Sequence, residues 1–123
     1  MDIKNKIIED LFDFHKDIRY AAVYKDSELV FKQREQISDA SAGESDKYEE
    51  LIVNPALLTL ARQRGNIDCG GLRHMIISYG SFNQLIKEIK GGHVSICLDK
   101  KLDLTSTTEK VLAYISSKHP DLF

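Results

Sequence analysis

The chain has 123 residues, 42% hydrophobic and 29% charged, with 17 Lys and Arg against 19 Asp and Glu for a formal net charge of -2. That length suits one domain able to bury roughly two thirds of its unfolded surface, and the composition excludes wholesale disorder. The charge balance lacks the basic footprint of a nucleic-acid binder, and no run reaches the ~18 apolar residues of a membrane helix.

The start, Met1-Asp2-Ile3-Lys4, lacks the apolar core of a signal peptide, so a cytoplasmic protein is expected, with its two cysteines, Cys69 and Cys97, reduced. Asp2 is placed to cap a first helix in which Ile3, Ile7, Ile8, Leu11, Phe12, His15 and Ile18 recur as one apolar stripe. Arg19 to Lys25 and Leu29 to Gln33 are β-type runs about an Asp26-Ser27 turn, a first hairpin. Ile37 to Ser45 is small and polar, and the spacing predicts a mobile loop with Ser38 to Ser45 as its loosest part.

Asp46 and Glu49 have capping-box spacing at the start of a second apolar stripe of Tyr48, Leu51 and Ile52, continued by Leu57, Leu58 and Ala61. Pro55 either begins a fresh helix capped by Asn54 or kinks one long helix, and Gly65 is the expected stop. Leu72 to Tyr79, Phe82 to Lys90 and His93 to Asp99 then read as a three-stranded antiparallel meander. Gly80-Ser81 makes its first turn. Lys90-Gly91-Gly92-His93 makes the second, the two glycines supplying the positive φ of a primed hairpin. Val94, Ile96 and Leu98 alternate with Ser95 and Cys97 at period two. A last helix, with Ser106 and Glu109 at capping-box spacing and Val111, Leu112 and Ile115 on one face, ends near His119 before Pro120. The order is α-β-β-α-β-β-β-α, a single domain over residues 1–123.

That order, the polar loop before the second helix, and the stretch from Gln84-Leu85-Ile86-Lys87-Glu88-Ile89 through Gly91-Gly92-His93-Val94-Ser95-Ile96-Cys97-Leu98 resemble the roadblock / dynein light chain family. The resemblance implies an α+β, profilin-like fold: a five-stranded antiparallel sheet with the second helix on one face, the first and last helices on the other, and the first meander strand at an edge. It also implies a homodimer formed by that edge and the second helices, and a non-catalytic regulator or scaffold whose partner is a small GTPase or another protein. Independently of the resemblance, Met75, Ile76 and Ile77 are consecutive and apolar, so an uncovered edge there is an aggregation hazard that a second copy removes. The expected dimer interface is Tyr48, Leu51, Leu57, Leu58 and Ala61 with His74, Met75, Ile76 and Ile77.

No residue cluster names a reaction. Zinc held by Cys69, His74, His93 and Cys97 fails on spacing, since His93 and Cys97 lie about 13 Å apart along one strand. The same distance defeats a Cys97 nucleophile activated by His93, while Cys69 beside Gly70-Gly71 reads as a lead-in to a strand. Gly91-Gly92 lacks the lysine, serine and following helix of a phosphate loop. No metal, cofactor or catalytic residue is therefore expected. Tyr20, Tyr24, Tyr79 and Phe82 support one alternative, a small-molecule-sensing domain of PAS type, if they line a common cavity.

Overall fold

A computed structural model describes residues 2–35, 37 and 39–123. The first helix, α1, spans Ile3–Phe14 and is capped by Asp2. It buries Ile7, Ile8 and Leu11 but stops short of the expected stripe, because His15 turns to extended backbone and hands Ile18 to the sheet. Strands β1 (Ile18–Lys25) and β2 (Glu28–Gln33) form the expected hairpin. Asp26 and Ser27 both adopt positive φ, the two-corner requirement of a type I′ turn met here without glycine.

The second helix is one long run through Pro55, and Asn54 is not the cap of a fresh helix. It begins earlier, as α2 (Gly43–Tyr48), runs through a π-helical segment (Glu49–Val53) and continues as α3 (Asn54–Asp68). Pro55 has no N–H to offer, and the ladder lengthens just ahead of it: Asn54 N–H donates to the Glu49 carbonyl, five residues back. Asp46 is therefore no cap. It is buried and accepts hydrogen bonds from the Ser41 hydroxyl (2.5 Å) and the Gln33 amide (3.1 Å). The loop expected to be loosest is thus anchored at Ser41 and helical from Gly43, while Ser38 lies outside the described residues. Gly65 sits inside α3, not at its end, and its missing side chain admits the backbone of Gly71.

The meander is β3 (Met75–Ser78), β4 (Phe82–Ile89) and β5 (Gly92–Asp99). Its first strand starts three residues later than expected, after positive-φ turns at Gly70 and Gly71. In the second turn the positive φ is at the second corner, Gly91, and not at the first, Lys90, where a primed turn requires it, so the turn is not primed. Gly92 is required for a different reason: a β-carbon there would fall on the Tyr24 carbonyl of β1. The final helix, α4 (Leu104–Lys118), is capped by Asp103, which accepts from Thr105 N–H and the Ser106 hydroxyl, so Ser106 is a helical residue and not the cap.

The five antiparallel strands lie in the order β2-β1-β5-β4-β3, placing β3 at an edge. The period-two pattern sorts the two faces. Ala21, Val23, Leu85, Val94, Ile96 and Leu98 form the main core with α1 and with Val111 and Ile115 of α4. Tyr20, Ala22 and Cys97 form a smaller cluster on the other face, which the second helix covers. Among the described residues no helix is long and apolar enough to cross a membrane.

Candidate interaction surface

The second helix rests on the sheet through a polar seat that period counting does not reveal. Glu50, in the π-helical segment, is fully buried. Its Oε2 accepts from the Tyr20 hydroxyl (2.7 Å), and its Oε1 meets Asn54 Nδ2 (2.9 Å) and His93 Nε2 (2.8 Å). Burial, then the Glu50 charge and hydrogen bond, push the Tyr20 phenol far above its ordinary range. Below it on the same face, burial together with the charges of Glu49 and Glu50 keeps the Cys97 thiol protonated. Glu49 and Asp46 also sit above the ordinary carboxylate range, chiefly through burial. The Gln84 amide donates to the Ser95 hydroxyl at 2.5 Å, while the Asn54 and Gln84 carbonyl oxygens have no hydrogen-bond partner among the described residues. The compartment is therefore rich in acceptors, and Glu50 is its hub. The longer turn of a π-helix offers a sequence signal only in Pro55, and sequence reasoning misses Glu50.

With its inner face anchored this way, the helix turns an apolar stripe outward. Tyr48, Leu51, Ile52, Leu60 and Ile67 are all exposed, Ile67 to 75%. Of the residues expected at an interface, Tyr48 and Leu51 are on this outer surface, Leu57 and Ala61 are half-buried, and Leu58 is not available: at 3% exposure it is already packed within the chain. Ile52, Leu60 and Ile67 take its place on the outer face. Beside the helix, β3 pairs with β4 alone; Met75 and Ile77 are half-buried and Ile76 is exposed. Tyr79, directly after β3, ties strand to helix by donating to Glu49 at 3.0 Å, and its phenol is pushed up to about 12 by burial and that carboxylate. His74 is half-buried next to Arg73 and Lys87, where burial and the two cations lower its pKa.

The other candidates are scattered. Cys69 is exposed and Cys97 buried, both free, and among the described residues no group of three or more His, Cys, Asp and Glu is placed to hold a metal ion. Among the described residues the four aromatic residues line different cavities. Tyr24 stacks near His93 in a cleft of about 240 Å³, Tyr79 and Phe82 line another of about 270 Å³, and the space between Tyr20 and Phe82 is about 10 Å³. Each is smaller than a typical site for a small molecule.

These elements define a roadblock-like α+β domain, as the sequence resemblance implies. The sequence matches no protein-family profile and no curated protein. Solved structures do match. One, MglB with a tetrameric arrangement, has a TM-score of 0.70 over 98% of this chain and 88% of its own at 8% identity. Another, the gliding protein MglB of Thermus thermophilus, has a TM-score of 0.57 over 94% and 89% at 14% identity. At such identities the shared property is the fold.

Proposed function

We propose that the chain is a non-catalytic, homodimeric interaction module that regulates or scaffolds a small GTPase. The supporting observation is the coincidence of an outward apolar stripe with a bare apolar edge. The two edges of the sheet differ. β2 carries Glu28 and Lys32, charges that discourage edge pairing, whereas β3 reads Met-Ile-Ile-Ser with none. Pairing β3 with its own copy about a two-fold axis would join two sheets and bring Tyr48, Leu51, Leu57 and Ala61 of each second helix toward the partner, with His74 to Ile77 along the seam. The regulatory role rests on the roadblock resemblance and on structural likeness to MglB.

Sedimentation at micromolar concentration tests the dimer: a species of twice 14.0 kDa is expected. Ile76→Pro removes a backbone donor from the edge and shifts the protein toward monomer, with circular dichroism checking that the fold survives. A native protein that sediments as one 14.0 kDa species overturns the dimer. Affinity isolation from the native extract tests the partner class, small GTPases being the expected catch.

A further inference from the structure

The sheet face opposite the second helix carries a groove at the margin of the core, with His74, at one end of the proposed dimer seam, among its lining residues. Its volume is about 410 Å³, within the range of sites that hold a ligand. Arg73, His74 and Lys87 lie along one side, and Leu112 and Ala113 of α4 with Phe123 form an apolar wall. The two cations here are not held in ion pairs among the described residues. Lys87 spends its hydrogen bond on the Arg73 carbonyl (2.6 Å) and stands 5.5 Å from the centre of the Phe123 ring. Glu109, on the α4 side of the groove, pairs with neither. In a chain with more acidic than basic residues, two cations without ion pairs and a histidine along one side of an apolar trough form a recognition pattern.

We propose that this groove binds an acidic segment of a partner protein, one apolar side chain entering between Leu112 and Phe123 and flanking carboxylates meeting Arg73 and Lys87. Charge complementarity selects this occupant. Two cations are too few for a polynucleotide or an anionic membrane surface, which need a broad basic field, and the apolar wall adds nothing to either. An acidic-apolar peptide uses both halves of the groove. The planar guanidinium of Arg73 takes a carboxylate through two parallel hydrogen bonds. All of the groove's lining residues belong to one protomer.

The test is fluorescence anisotropy of the whole chain with a labelled hexapeptide of alternating glutamate and leucine at low salt. Saturable binding is expected, weakening with added salt. Arg73→Glu should weaken it at least tenfold. Arg73 is exposed and unpaired, so the fold is expected to tolerate the change; Arg73→Gln, expected to weaken binding less than Arg73→Glu, is the milder companion. Nuclear magnetic resonance of the His74 ring supplies a second readout, because a carboxylate placed beside the ring raises its titration midpoint. The proposal is overturned by no binding at millimolar peptide, by equal binding of the glutamine-for-glutamate peptide, by an unaffected Arg73→Glu variant, or by phosphatidylserine vesicles or a single-stranded oligonucleotide binding as tightly as the peptide.

Discussion

Glu50 Oε1 and His93 Nε2 stand 2.8 Å apart, neither side chain more than 2% exposed, and they join the second helix to a central strand across 43 residues of sequence. An isolated carboxylate at this depth is strongly disfavoured, so the contacts from His93, Tyr20 and Asn54 are what permit it. Their geometry sets the rotation of the helix, and therefore which residues it turns outward.

Glu50→Ala leaves the Tyr20 hydroxyl, the Asn54 amide and the His93 ring without their acceptor in a buried compartment. It should cost about 3 kcal/mol of unfolding free energy, measured by urea denaturation. Glu50→Gln retains an acceptor and should cost less. Equal losses would assign the anchoring to the charge and not to the hydrogen bonds.

Gly92, the first residue of β5, has no room for a methyl group. Gly92→Ala drives a β-carbon onto the Tyr24 carbonyl and forces β5 from β1, with an expected loss of about 3 kcal/mol. Gly43→Ala, at the start of α2 with nothing within 4 Å of the new carbon, should be neutral or slightly stabilising. Thermal melts of the two variants should diverge; similar melting temperatures would contradict the close approach.

Asp10 on α1 carries an acid-sensitive share of stability. Burial raises its pKa, but hydrogen bonds and charge from Lys6 and His119 prevail, and the net shift is below the ordinary 3.8. His119 lies just beyond α4 and contacts Asp10 at 2.8 Å. Because the folded pKa is the lower, this contribution is present above about pH 4 and disappears as pH falls through the folded value. Asp10→Asn should cost about 1–2 kcal/mol at neutral pH, and its deficit should shrink in acid. A deficit unchanged down to about pH 2 would mean that packing, not ionisation, is responsible.

The two thiols should react very differently. Cys69 is exposed and should be modified promptly by a thiol reagent. Cys97 is buried, with its pKa raised, and should react only as the chain opens. Titration of native protein then counts one fast thiol and one slow one. Reductant should leave the melting temperature unchanged, since the two cysteines are unlinked.

The element order and the two faces of the sheet were legible because each depends on local periodicity. Val94, Ile96 and Leu98 alternate with His93, Ser95 and Cys97 whatever lies around them, and Ile7, Ile8 and Leu11 can share a face only on a helix. The edge position of β3 came from the family resemblance, supported by three consecutive apolar residues. Other features were decided by contacts between distant segments. Leu58, periodic with Leu57 and Ala61, was expected at an interface but is consumed in the chain's own packing, because the π-helical segment changes the rotation of everything after Val53. Asp46 and Glu49 have the spacing of a cap, yet Asp46 is drawn inward by Ser41 and Gln33. Glu50 looks like one more surface acid until β1 and β5 bring Tyr20 and His93 to it. Local sequence determines which side chains share a face; only the folded chain decides what covers that face, because hydrogen-bond partners 30 and 43 residues away in sequence become neighbours only when the sheet has formed.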